Sequence, residues 1–351
     1  MPQRDGRTAP VTGLRDRAAD ASAAVPMRRT LRAPIGCTGV GLHSGARISL
    51  RFLPAAPASG IVFRRTDLPG GPVEIPARWD HVVDTRLNTT LGIPGRRDAV
   101  IGTVEHVLAA LAGMAVDDAV VELDGPEAPV MDGSAAPFVF LIECAGLVAT
   151  GEPRQVIEVL RPVRVQESRA GESRPGESGA GEGDAFVALL PAASAGPVIE
   201  AEIDFPAAAV RRQMRSLRLT PASFKADLAA ARTFGFVEDV EALRAAGLAR
   251  GGSLKNAVVV AGARVLNEGG LRFADEFVRH KMLDIVGDLG LAGLPLAARV
   301  VARRPGHRLN NQVLRALFAD PAAFRIVPAT GIGVAKRAGA GGIASAAAAP
   351  A

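Results

Sequence analysis

The chain has 351 residues, 48% of them hydrophobic, and 41 Lys and Arg against 36 Asp and Glu give a formal net charge of +5. The excess lies in residues 1–29 and beyond residue 329, leaving a body that is neutral, 33 against 33. A neutral body excludes the clustered cationic surface of a nucleic-acid binder, and the apolar content excludes disorder throughout. Length predicts about two domains. Cys37 and Cys144 are too few for a disulfide framework or a cysteine zinc knuckle, so any metal falls to His and carboxylates. The longest strongly apolar stretch, residues 107–116, is about half of the ~20 residues a membrane span needs, and the N-terminus lacks a secretory core. The expectation is a cytoplasmic protein with no integral membrane segment.

Residues 1–28 and 329–351 are expected to be disordered tails, the second almost pure Ala and Gly from about residue 336. Period-two alternation predicts strands over 46–52, 61–65 and 119–123. Residues 102–112 read as a helix with Thr103 as its capping candidate, stopped by Gly113, and 138–145 as a second helix before Gly146. Strand-like runs at 155–165 and 185–190 flank a Glu/Gly/Ser-rich stretch, 167–184, expected as a long mobile hairpin loop. More strands run to about 219, then come 221–231, a helix over 237–246, a strand over 256–260 and a long helix over 273–291. Strands followed by helices, twice, predict an α+β fold of two similar halves.

Three of the five His stand beside acids. On the long helix His280, Asp284 and Asp288 are spaced i, i+4, i+8 and share one sector, opposite an apolar stripe of Val278, Met282, Ile285 and Leu289. A His and an Asp one turn apart can grip one metal ion, although an isolated pair of this kind is more simply a solvated polar face. Glu105 and His106 point about 100° apart on their helix, so one can bind a metal while the other reaches a water beside it. His307 follows Arg304-Pro305-Gly306, a turn sequence that predicts an exposed ring. His106, His280 and Asp284 together make three N/O ligands with a fourth position open, the pattern of a catalytic zinc. The residues alone lead no further than a zinc hydrolase.

Several strings resemble the UDP-3-O-acyl-N-acetylglucosamine deacetylase (LpxC) family. They are Gly39 to Gly45 (GVGLHSG), Thr103-Val104-Glu105-His106, Pro129 to Phe138 (PVMDGSAAPF), and Arg232 to Phe236 (RTFGF). Gly251-Gly252-Ser253, Val265 to Glu268 (VLNE), Arg279 to Asp284 (RHKMLD), Gly306-His307 and Asn310-Asn311 complete the set, in the family's order from about Thr30 to Phe318. The resemblance implies two α+β domains of similar topology, here 29–152 and 153–328, each a β-sheet with helices, the helical layers face to face. It also implies a small β insert in the first domain and a βαβ insert, about 234–260, that forms an acyl-chain tunnel in the second.

The implied reaction is loss of acetate from a UDP-linked 3-O-hydroxyacyl-N-acetylglucosamine in lipid A biosynthesis, by a cytoplasmic monomer. His106, His280 and Asp284 would hold one zinc ion, with iron(II) as the alternative, since such a site accepts either. Glu105 would be the general base, and His307, kept cationic by Asp288, the acid. Thr233 would donate to the oxyanion and Lys281 to substrate oxygens or phosphates. Phe236, Val240, Ala249, Ser253 and Val259 match tunnel-lining positions, with Leu42 near the mouth. Asp204 and Phe205 match a uridine contact and Phe234 a sugar and nucleotide contact, although Pro206, Ala207 and Ala208 follow where relatives carry a His. The rival expectations are a zinc deacetylase of another N-acyl sugar and a non-catalytic nucleotide-sugar-lipid binder.

Overall fold

The computed structural model describes residues 25–167, 185–192 and 196–330. The expected 167–184 loop, apart from Glu167 itself, and the tail beyond 330 lie outside the described residues. The first strand begins earlier than expected, at Met27. Arg28 is buried and donates to both carboxylate oxygens of the fully buried Asp118, at 2.6 and 2.9 Å. Arg29 donates to the carbonyls of Met114 and Ala115. Arg28, assigned to the N-terminal tail, therefore belongs to the folded body together with Arg29, and the tail reading fails at residues 27 and 28.

The first half runs β1 (Met27–Leu31), β2 (Ile35–Val40), β3 (Arg47–Leu53), β4 (Ile61–Arg65), β5 (Val73–Pro76), β6 (Val82–Asp84), β7 (Thr90–Ile93), β8 (Arg96–Ile101), α1 (Glu105–Gly113), β9 (Ala119–Leu123), α2 (Ala136–Ala145) and β10 (Leu147–Pro153). The second runs β11 (Gln155–Val159), β12 (Val163–Glu167), β13 (Ala185–Pro191), β14 (Val198–Phe205), β15 (Arg211–Arg218), α3 (Pro221–Ser223) leading into a π turn over Phe224–Leu228, β16 (Phe234–Phe236), α4 (Val237–Ala245), β17 (Val258–Ala261), β18 (Arg264–Val265), α5 (Glu276–Gly290), β19 (Leu296–Arg303), α6 (His307–Ala319) and β20 (Phe324–Pro328).

The halves share a topology that no repeat in the residues announces. In the first, the sheet order is β2-β3-β9-β4-β5, with β4 and β9 parallel and the other pairs antiparallel. In the second, β12-β13-β19-β14-β15 repeats that order and those directions, extended by β11, parallel to β19, and by β20. The parallel central pair demands a crossover, and the crossover carries α1 in one half and α5 in the other. Each insert occupies the same place, between the last hairpin strand and that helix. The first insert is the small sheet β6-β7-β8; the second is β16 and β17, parallel with α4 between them, edged by β18.

Alternation does what it predicts in β3, where Ile48, Leu50 and Phe52 face inward. The run expected as one strand over 155–165 is two, because Leu160 to Pro162 interrupt it: β11 joins β19 and β20 while β12 joins β13. Thr103 does not cap α1. Its φ is 57°, the helix opens at Glu105 without a side-chain cap, and the Thr103 hydroxyl donates to Glu127 Oε1 at 3.0 Å. α1 and α5 lie against each other between the two sheets, so both are buried on nearly every side. Their approach is permitted by Gly287, where an added Cβ would stand 2.0 Å from the Glu105 carbonyl oxygen and 3.1 Å from the Ala109 nitrogen. Among the described residues no helix is long and apolar enough to cross a membrane.

Candidate metal centre and proton-transfer pair

The contact of α1 with α5 brings the three expected ligands together. His280 Nε2 lies 3.3 Å and His106 Nε2 3.9 Å from Asp284 Oδ1. One donor atom from each residue falls within 4.8 Å of the others, and among the described residues this is the group of His, Cys, Asp and Glu able to hold a metal. All three are buried, as is Asp288 one turn on. The solvated polar face is thereby excluded: α5 has no solvent face here, because α1 covers the side that amphipathic periodicity assigns to water.

The residues fit a cation. Asp284 Oδ1 is buried and lacks a hydrogen-bond donor, an arrangement that is costly unless a cation satisfies it. His280 Nδ1 sits 3.1 Å from the Ala231 carbonyl, which fixes the tautomer and leaves Nε2 as a ligand. Burial, aided by the nearby His280, pushes His106 down to about 3, and burial likewise lowers His280. Burial works against an ionised Asp284, yet His280, Lys281, His307 and His106 hold it well below the usual carboxylate range. Two neutral imidazoles and one carboxylate are a donor set for zinc or iron.

Beside this group stand Glu105 at the start of α1 and His307 at the start of α6, with His307 Nε2 3.9 Å from Glu105 Oε1. His307 was expected to be exposed; its side chain is only 10% so, because α6 packs on α5. Its Nδ1 donates to Asp288 Oδ2 at 2.9 Å, which leaves Nε2 facing the site. Burial opposes the charged ring, but Asp288 and Glu105 outweigh it and push His307 up to about 9. Burial raises Glu105, and despite the neighbouring His307 it reaches about 7. A carboxylate near neutrality beside an imidazolium that persists above it can serve as a base and acid pair.

The remaining expected residues divide. Lys281 Nζ donates to Asp284 Oδ2 at 3.1 Å and lies 5.7 Å from the Phe234 ring centroid, so its charge stands at the metal group. Thr233 immediately precedes β16, its N–H on the Gly133 carbonyl at 2.8 Å. Phe234 packs 6.3 Å from the His280 ring and joins Phe205, Phe236 and Phe277 in an aromatic cluster. Asp204 accepts from Arg304 Nη2 at 2.8 Å, which anchors the loop leading to His307. Val240, Ala249 and Val259 are half-buried in the second insert and Ser253 is exposed. Leu42 meets that insert through backbone bonds from Gly251 to its carbonyl and from Arg250 to that of His43.

Four residues at the site went unassigned in the sequence reading. Glu127 accepts from the N–H groups of His43 and Ser44, both at 2.8 Å, as well as from Thr103. It thereby holds the Leu42 loop, with the partnerless ring nitrogens of His43 buried in it. Asn310 donates to Asp288 Oδ2 at 2.8 Å, and its i+3 spacing from His307 places both on one face, a signal available in the residues. Thr89 bonds Glu105 and Asp288; no motif marks it.

A family model described as LpxC: UDP-3-O-acyl N-acetylglycosamine deacetylase matches residues 28–319. A UDP-3-O-acyl-N-acetylglucosamine deacetylase of Myxococcus xanthus is 47% identical over 302 residues, 86% of this chain and 90% of the relative. Proteins of the same name from Acidithiobacillus ferrooxidans and Anaeromyxobacter dehalogenans are 45% and 44% identical, over 86% and 87% of this chain and 92% and 91% of their own lengths. On a match that spans both halves and every ligand position, the chain belongs to the UDP-3-O-acyl N-acetylglycosamine deacetylase family, LpxC.

Proposed function

We propose that the chain removes acetate from UDP-3-O-acyl-N-acetylglucosamine, in lipid A biosynthesis, with one zinc ion held by His106, His280 and Asp284. The observation that carries this reading is the buried group of three ligand atoms within 4.8 Å, flanked by Glu105 and by His307. A zinc ion bound there supplies Lewis acidity, which acidifies a water and polarises an amide carbonyl. Glu105 takes the proton of the attacking water as its oxygen bonds to the acetyl carbon. His307 Nε2, held cationic by Asp288, stabilises the developing negative charge and then protonates the nitrogen as the C–N bond breaks. The Thr233 hydroxyl adds a donor for the oxyanion, and Lys281 meets substrate oxygens as a point charge.

In this reading the acyl chain enters the second insert past Leu42, along Phe236, Val240, Ala249, Ser253 and Val259, each buried methylene contributing about 0.8 kcal/mol. The nucleotide and sugar lie toward Asp204, Phe205 and Phe234, the protein acts as a monomer, and its two domains meet near Pro153.

Metal analysis is expected to find one zinc per chain. A chelator should abolish acetate release, and one equivalent of zinc should restore it. Recovery with iron(II) exceeding that with zinc would reassign the metal, and full turnover without any metal would overturn the reading. The pH profile should be a bell. Turnover needs Glu105 ionised and His307 protonated, so it rises through the Glu105 value, about 7, and falls through that of His307, about 9. A bound cation favours the carboxylate and disfavours the imidazolium, moving both limbs down. His307→Ala should remove the alkaline fall; an unchanged alkaline limb assigns the acid elsewhere.

A further inference from the structure

The carboxylate assigned as base and the one that holds the assigned acid, His307, come from different halves, Glu105 from α1 and Asp288 from α5, and Thr89 is bonded to both. Thr89 is 1% exposed and lies in the turn between β6 and β7. Its backbone N–H donates to Glu105 Oε2 at 3.0 Å and its hydroxyl to Asp288 Oδ1 at 2.5 Å. Its carbonyl accepts from the N–H of Val104, at the entrance of α1. Each polar group of this one residue is thus directed at the helices that carry the reacting groups. The other oxygen of Asp288 is taken by His307 and Asn310, so the Thr89 hydroxyl supplies the donor on the opposite side of that carboxylate.

The surroundings hold Thr89 still. Asn88 donates to the Thr103 hydroxyl at 3.1 Å and accepts from Thr90 at 2.8 Å. Beyond the insert, Asn311 and Arg315 of α6 donate to the Trp79 carbonyl, and Trp79 stacks on Phe318 at 5.2 Å. The small sheet is therefore fastened to α1 on one side and to α6 on the other. Resting on the assignment of Glu105 and His307 as base and acid, we propose that Thr89 is a positioning residue. It ties Glu105 to Asp288, and through Asp288 it orients the His307 ring, so that Nε2 faces Glu105 across the 3.9 Å gap. The first insert exists, in this view, to deliver Thr89.

The chemistry separates this role from packing. Thr89→Val keeps shape and backbone N–H but removes the hydroxyl, leaving one oxygen of a buried carboxylate without its donor. Loss of such a supporting bond costs on the order of 10- to 100-fold in activity. In the zinc-loaded enzyme kcat should fall by that factor with KM unchanged, and zinc should remain at one per chain. Thr89→Ser should recover to within about threefold. The hydrogen-bonded Nδ1 proton of His307, followed by NMR, should shift in Thr89→Val and return in Thr89→Ser. Should Val fail to fold, Thr89→Ala lacks the same hydroxyl and carries the same expectation. Turnover unaffected by loss of the hydroxyl, or Ser no better than Val, overturns the proposal. Glu105→Gln and Asp288→Asn run in parallel separate the two levels. If both retain full turnover the underlying assignment falls; if they are impaired while Thr89→Val is not, only the positioning role falls.

Discussion

Glu105→Gln is expected to lower turnover by about 10²- to 10⁴-fold, the contribution of a positioned general base, while zinc content stays at one per chain. The substitution keeps the length of the side chain and an oxygen to accept the Thr89 N–H, so the start of α1 should keep its geometry. It removes the one property the reaction requires, an oxygen that can take and hold a proton. Zinc should be retained because Glu105 is not in the group of His106, His280 and Asp284 proposed to hold it. A second consequence follows from the 3.9 Å separation of Glu105 from His307. The Glu105 charge helps keep His307 protonated, so the alkaline limb of residual activity should move to lower pH. Acetate-release kinetics with metal analysis check both parts. Turnover within tenfold of the parent would remove Glu105 as the base, and loss of zinc would show that it supports the ligands instead.

Gly287→Ala is expected to cost both stability and zinc. An alanine Cβ there would stand 2.0 Å from the Glu105 carbonyl oxygen and 2.8 Å from its carbon, contacts that backbone atoms cannot yield without α1 and α5 moving apart. Overpacking of this kind costs about 1–3 kcal/mol. The same separation carries His106 away from His280 and Asp284, and a displacement of about 1 Å at a reacting centre lowers rate by about 10²-fold. Gly290→Ala is the control. Its Cβ would meet only Ala112 Cβ at 3.6 Å, an ordinary contact, and alanine is the better helix former. Thermal unfolding and zinc titration of the two variants should diverge, with Gly290→Ala near the parent in both. Equal behaviour would mean that the crossing of α1 and α5 is not held by Gly287.

The legible part of the protein was local or was carried by rare strings. Alternation predicted β3, β4 and β9 because a half-buried strand repeats every two residues whatever surrounds it. Gly113 and Gly146 marked the ends of α1 and α2. The spacing of His280 and Asp284, with His106 beside Glu105, gave a possible three-ligand metal grip, and the resemblance gave Glu105 and His307 their separate roles as base and acid. What spacing could not decide was burial. The same i, i+4, i+8 pattern describes a wet helix face or a metal site, and only the packing of α1 on α5, through Gly287, excludes water from it. His307 read as exposed for the same reason, since a turn sequence does not say which way the following helix docks.

By itself, then, the sequence determined the α+β class, the positions of α1, α2, α4, α5 and several strands, the family and the candidate chemistry-bearing side chains, because these depend on near neighbours along the chain or on a preserved string. The tertiary structure decided what depends on contacts between distant segments. It showed that the two halves repeat one sheet topology and that Arg28 and Arg29 belong to the body through Asp118 and the end of α1. It also joined residues 89, 105, 288 and 307 in one hydrogen-bonded and charged network. A hydrogen bond spanning 199 positions leaves no periodicity to read; it exists only once two helices from separate halves have been packed against each other.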